Sequence, residues 1–133
     1  DYIETHVGAS RHNREKMRVV PEGGKARHAM TFYEVLERYQ RLSYVRLSPR
    51  TGRTHQLRVH MTHLGHPILA DRLYNGIRPE GLELPIRRQA LHAYSLELTH
   101  PVTGRSIRFE APLPDDFRAT LECLRPEATE LGS

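Results

Sequence analysis

Two alternating segments with only two residues between them limit this chain more than anything else in it. From His28 to Tyr39, Ala29, Thr31, Tyr33 and Val35 alternate with Met30, Phe32, Glu34 and Leu36. That is a period of two, rich in β-branched and aromatic residues, and it reads as a strand. After Gln40-Arg41, a second strand runs from Leu42 to Ser48. Strands joined by so short a link pair antiparallel. A second hairpin is expected later. Gln89 to Thr99 reads as a strand with Leu96 and Leu98 on one face. Pro101 to Gly104 turns it, and Arg105 to Ala111 returns with Ile107 and Phe109 alternating against Arg108 and Glu110.

Two helices complete the expectation. The first runs from Thr54 to Leu64, with Thr54 as N-cap, an apolar stripe of Leu57, Met61 and Leu64, Gly65 as the stop and Pro67 beyond it. The second is capped by Asp115 and runs to about Leu124, burying Phe117, Leu121 and Leu124. Cys123, between two of those leucines, reads as a buried small hydrophobe. The fold class is therefore α+β, a mainly antiparallel (mixed) sheet built from two hairpins, with a motif helix and a C-terminal helix. The 133 residues suffice for one domain. Residues 1–27 read as a basic arm or long loop with at most a short strand near Met17–Val20, residues 28–124 as sheet and helices, and residues 125–133 as a polar tail. The arm carries Arg11, Arg14, Lys16, Arg18, Lys25 and Arg27, and is either a solvated loop or a phosphate-contacting segment. Residues 68–89, rich in Gly, Pro and Arg (Arg72, Arg78, Arg87, Arg88), read as a long surface loop.

Charge narrows the class of partner. The net charge is +4 with neutral histidines and the pI about 9.6, which favours an anion, most commonly nucleic acid. No apolar run approaches the ~20 residues of a membrane span, and Asp1-Tyr2-Ile3-Glu4 is not signal-peptide chemistry. One unpaired cysteine fits a reducing, cytoplasmic compartment.

The segment Thr51-Gly52-Arg53-Thr54-His55-Gln56-Leu57-Arg58-Val59-His60 carries more polar chemistry than a core helix needs. Arg58 falls at the edge of the apolar stripe. There it either presents its guanidinium to a carboxylate or phosphate at a cleft floor, or makes a weak surface pair. Arg53 and Thr54 stand where free helix amides favour an anion. His55, His60, His63 and His66 fall on different helix faces, without a HExxH pattern or a cysteine pair, so no metal is expected. No nucleophile elbow and no Walker motif is present.

That segment, followed by Gly65-His66-Pro67-Ile68-Leu69 and Asp71-Arg72-Leu73-Tyr74, resembles the RluA/RluD-type ribosomal RNA pseudouridine synthases. Arg11-His12-Asn13-Arg14-Glu15-Lys16-Met17 with Gly24-Lys25, Thr31-Phe32-Tyr33-Glu34-Val35, Gln89-Ala90-Leu91-His92-Ala93, His100-Pro101 and Glu110-Ala111-Pro112 extend the likeness over nearly the whole chain. The resemblance implies the pseudouridine synthase fold and isomerisation of uridine to its C-glycosidic isomer in RNA, expected to be large-subunit ribosomal RNA. It implies no cofactor, no metal, no membrane and a monomeric parent enzyme. It assigns Arg58 as partner of a nucleophilic aspartate. It also implies a substrate-binding set of Arg53, Thr54, His55, Gln56, His60, Leu91 and His92, with Leu91 near the uracil and Arg53, His55 and His60 holding phosphate or the motif's own geometry. The family's aspartate lies in a His-Arg-Leu-Asp segment that these residues do not contain, and Asp71, Asp115 and Asp116 stand in the wrong motifs. The chain is therefore expected to be the C-terminal part of a synthase catalytic domain, inactive alone; in the full-length enzyme Arg58→Ala is expected to abolish isomerisation and leave folding largely intact. A non-catalytic RNA-binding module is the competing expectation.

Overall fold

The computed structural model describes residues 1–11, 15–39, 41–74, 76, 84–99 and 102–124, without the side chains of 96–99, 107 and 109. The expectations for Arg14, Arg78, His100-Pro101, the 125–133 tail and the side chains of Leu96, Leu98, Ile107 and Phe109 lie outside that description.

Four strands, β1 (Tyr2–Ala9), β2 (Met17–Val20), β3 (Arg27–Arg38) and β4 (Ser43–Pro49), form a sheet in the order β2-β1-β3-β4. Every ladder is antiparallel, so no mixed sheet is present among the described residues. The β3–β4 hairpin closes with Tyr39 N–H donating to the Leu42 carbonyl at 2.7 Å. Its register shifts between Val35 and Glu37, an irregularity that no alternation reveals. Helix α1 (Gln56–His63) and a single 3₁₀ turn (Arg72–Tyr74) follow. Strands β5 (Ser95–Thr99) and β6 (Ser106–Glu110) make a separate two-stranded ladder, and helix α2 (Asp115–Cys123) comes last.

The arm expected over residues 1–27 is corrected outright, because β1 is an interior strand of the sheet. Ile3, Thr5 and Val7 face one way, and Ile3 and Val7 are buried with Ala29 and Thr31 of β3. Ile3 pairs with Thr31 and Thr5 with Ala29. The period of two is present in the sequence, but with only two strong hydrophobes in eight residues it reads as polar.

The 68–89 surface loop is also corrected. Ile68, Ala70, Asp71, Tyr74, Leu84 and Ile86 are all buried. Among the described residues of this segment the 3₁₀ turn is the one regular element, yet the Ile, Leu and Tyr side chains still leave water. Tyr74 joins Val7, Ala29 and Val59 in the core that seals α1 to the sheet.

Four smaller expectations change. Pro114, not Asp115, precedes α2, and Asp116 instead accepts from the Phe117 N–H at 2.8 Å. Phe117 packs on Tyr44 of β4 with ring centroids 6.0 Å apart, while Thr120 is the fully buried residue of the helix. Cys123 is exposed; at 100° per residue it lies roughly a quarter-turn off the Phe117–Leu121–Leu124 stripe. Gln89 to Tyr94, expected as the start of the strand, has no regular structure and lies outside the β5 ladder, with Leu91 N–H donating to the Gln89 carbonyl at 2.8 Å. Among the described residues, no helix is long and apolar enough to cross a membrane.

Candidate active site

Helix α1 buries a polar stripe. Its sheet-facing residues are Gln56, Val59, His60 and Met61, whereas Leu64 of the expected apolar stripe is 37% exposed and Leu57 is only partly covered. The stripe is tolerated because each buried polar atom has a partner. Gln56 Oε1 accepts from Thr51 Oγ1 at 2.5 Å and from Arg53 N–H at 3.1 Å. Gln56 Nε2 donates to the Met30 carbonyl at 3.0 Å and to Thr31 Oγ1 at 2.9 Å. Gln56 N–H in turn donates to the Arg53 carbonyl at 3.0 Å. Residues 51–56 are thereby locked onto β3, and two amides of the expected anion cradle are already engaged.

His60 is fully buried and bridges two strands. Its Nε2 lies 2.8 Å from Thr5 Oγ1 and its Nδ1 2.8 Å from Thr31 Oγ1. Each ring nitrogen thus has a threonine hydroxyl as partner, and Thr31 Oγ1 also accepts from Gln56 Nε2. His60 is therefore buried beneath the helix with both ring nitrogens engaged inside the motif. Burial, then the charge of His63, lowers its pKa from 6.5. Below pH 6.5 the unfolded chain binds more protons than the folded one, so stability should fall as pH drops through that value towards the lowered folded pKa. Denaturant titrations on either side of this window check the slope; stability that stays flat across it would show that His60 is not held neutral.

Two residues at the site carry the left-handed backbone conformation, and neither is glycine. His55 (φ 53°), not Thr54, is the N-cap of α1, and Ala70 (φ 61°) precedes Asp71. Such backbone is sparsely populated outside glycine and persists where surrounding structure enforces it. The kink at His55 turns its ring to Tyr74. The Tyr74 hydroxyl accepts from Met17 N–H at 2.9 Å and reaches His55 Nδ1 at 2.8 Å. Burial, then Arg58, lowers the His55 pKa, with Asp71 opposing, so the charged imidazole is disfavoured there.

Arg58 points off the same helix turn. Its Nε and Nη2 form a two-bonded fork on Asp71 Oδ2 and Oδ1, both at 2.8 Å. The Asp71 side chain is 1% exposed and that of Arg58 16%. The guanidinium also lies over the Tyr74 ring, 5.0 Å from its centroid, and Lys16 lies 5.5 Å from the same centroid. The hydrogen bonds that Arg58 donates to Asp71 raise the Arg58 pKa. Sequence reasoning assigned Arg58 a carboxylate outside these residues and passed over Asp71, although Asp71-Arg72-Leu73-Tyr74 stood in the motif.

An open groove of about 240 Å³ has Arg53, His55, Gln56, Leu57, Arg58 and Leu91 in its walls. Of the expected site residues, it thus gathers Arg53, His55, Gln56, Arg58 and Leu91. Thr54 is exposed and lies away from the groove, His60 is beneath the helix, and His92 Nε2 is 2.9 Å from the Ala111 carbonyl. Arg53 Nε donates to the His28 carbonyl at 2.7 Å, which fixes the side chain at the wall. The groove therefore combines two guanidinium groups with apolar lining from Leu57 and Leu91, a setting for an anionic ligand with a flat apolar part.

A family model described as RNA pseudouridylate synthase matches residues 1–63. The ribosomal large subunit pseudouridine synthase D of Neisseria meningitidis serogroup A is 48% identical over 133 residues, covering 95% of this chain and 35% of the relative. The protein of the same name from Pseudomonas aeruginosa is 42% identical, over 94% of this chain and 41% of its own length. Among solved structures, human RNA pseudouridylate synthase domain containing 1 superposes with a TM-score of 0.70 at 30% identity, over 96% of this chain and 53% of that one. Human RNA pseudouridylate synthase domain containing 4 gives 0.65 at 29%, over 96% and 57%. The chain spans little more than a third of the first of these curated relatives.

Proposed function

We propose that this chain, which belongs to the RNA pseudouridine synthase family, forms one wall of a uridine-isomerising site acting on RNA, with large-subunit ribosomal RNA as its substrate. The observation that supports this reading most is the meeting of Arg58, Arg53 and Leu91 in one groove. In the parent enzyme the target uridine leaves its stack and enters the groove. Leu91 covers a face of the base, and Arg53 meets the backbone phosphate. Arg58 pairs with an attacking aspartate supplied from outside these 133 residues, keeping it ionised and aimed. The aspartate bonds to C1′ as the N1–C1′ bond breaks, the base turns, C5 displaces the aspartate as the C5–C1′ bond forms, the C5 proton leaves and N1 is protonated. None of these steps calls for a metal or a cofactor. We place the enzyme in the cytoplasm, where its ribosomal substrate is made, and read the parent as a monomer.

Because the C5 hydrogen is lost, RNA carrying tritium at uridine C5 reports turnover as tritium released to water. The full parent enzyme should release it, and the 133-residue chain alone should not. Release by the chain alone would overturn the placement of the nucleophile. Binding without release by the parent would favour the non-catalytic RNA-binding module. Arg53→Ala should weaken RNA binding evenly across sequences and reduce the slope of log affinity against log salt by about one. An unchanged slope would remove Arg53 from the phosphate contacts.

A further inference from the structure

We propose that Asp71 is the positioning residue of this site: it clamps one edge of the Arg58 guanidinium from inside the protein, so that the opposite edge is presented to the groove. This rests on the reading of Arg58 as partner of the attacking carboxylate. The fork uses Arg58 Nε and Nη2 at 2.8 Å each, and Nη1 has no hydrogen bond among the described residues. Arg58 reaches the groove wall while Asp71 is wholly inside. A guanidinium has five donors in one plane. Fixing two of them from behind therefore fixes the direction of the rest.

Asp71 is itself over-determined. Its backbone N–H donates to the Ile68 carbonyl at 3.1 Å, and its carbonyl accepts from Tyr74 N–H at 3.3 Å and Gly76 N–H at 2.7 Å. The left-handed Ala70 just before it turns the chain inward. Strained backbone next to an ion pair, with three further main-chain bonds holding it, marks a group whose direction matters. Tyr74 completes the clamp by lying under the guanidinium, so Arg58 is held in its plane as well as at its edge.

The arrangement makes Arg58 a bridge between two carboxylates, one permanent and internal, the other arriving in the groove. Asp71 then does more than orient. Its charge partly cancels that of Arg58, and so sets how strongly the guanidinium favours ionisation of the groove carboxylate. The other ionisable groups about the pair are Tyr74 under the guanidinium, His55 bonded to Tyr74 and coupled in charge to both members of the pair, Lys16 near the Tyr74 ring and Arg53 in the groove lining. Loss of the Asp71 charge would lower the His55 pKa further and leave it neutral. The groove carboxylate is thus the group whose titration would move.

The test is Asp71→Asn in the full parent enzyme, followed by tritium release across pH. The clamp predicts a kcat lower by at least about 10-fold, a KM for RNA within about threefold of wild type, and an acid limb of the pH–rate profile displaced to lower pH. A folded variant with wild-type kcat or an unmoved acid limb would overturn it, since a merely structural residue changes the amount of active enzyme and not the limb. If Asp71→Asn does not fold, the wild-type parent decides. The Arg58 Nε–H should be a resolved nitrogen-bound resonance exchanging slowly with water, and a rapidly exchanging, freely rotating guanidinium would overturn the clamp. A wild-type parent that releases no tritium would sink the functional reading instead, and the exchange measurement would still judge the clamp.

Discussion

Arg58→Ala should cost the folded chain about 3–5 kcal/mol, because it leaves a buried carboxylate without its cation. The sequence left Arg58 either at a cleft floor or in a weak surface pair, with folding of the full-length enzyme expected to survive its loss. The burial of the pair argues for a larger cost. Asp71 is 1% exposed on its side chain and both of its oxygens are bonded to Arg58. In Arg58→Ala, Asp71 must either stay charged in a dry setting or take up a proton, and both are unfavourable. Replacing the pair together, as Arg58→Met with Asp71→Leu, removes both charges and keeps the volume. That double variant should return to within about 2 kcal/mol of wild type, as apolar replacements of buried ion pairs do. Urea unfolding of the wild type, the single variant and the double variant compares their stabilities. In the parent enzyme the double variant should fold and still release no tritium. A single variant as stable as wild type would show that the pair is not buried in solution, and an active double variant would remove Arg58 from the mechanism.

How far the fold could be read from the sequence depended on where each element finds its partners. The β3–β4 hairpin was legible because alternation and a two-residue link are local. Strand β1 was not, since Ile3 and Val7 become core only when Ala29 and Thr31 lie beside them. Helix α1 was placed within two residues, with the left-handed Gly65 as its stop, yet its buried face was misassigned. Amphipathic reading assumes that what is buried is apolar. Gln56 and His60 break that assumption because Thr5, Thr31 and Thr51 satisfy them, from strands up to 55 residues away in the chain. At the site, the Thr51–His60 motif and the likeness it carries pointed to Arg58 and Leu91, and both reach the groove. Asp71 was invisible as a partner because its approach depends on the turn at Ala70 and on the close packing at Gly76.

That packing leads to the second large effect. Gly76→Ala should lower stability by at least about 2 kcal/mol. A Cβ on Gly76 would lie 1.9 Å from the Ile68 carbonyl oxygen, 2.8 Å from Asp71 N and 3.0 Å from the Asp71 carbonyl oxygen. All three are backbone atoms, so no side chain can swing aside, and relief requires the 68–76 turn itself to open. The cause is contact, not conformation, since Gly76 is not among the positive-φ glycines. Opening the turn would break the Gly76 N–H bond to the Asp71 carbonyl and carry the carboxylate away from Arg58. The variant should therefore lose activity in the parent enzyme beyond what its unfolded fraction explains. Gly52→Ala is the control: a Cβ there meets nothing within 4 Å, and its stability should stay within about 0.5 kcal/mol of wild type. Equal stability for the two variants would show that the turn holding Asp71 is not closed around Gly76.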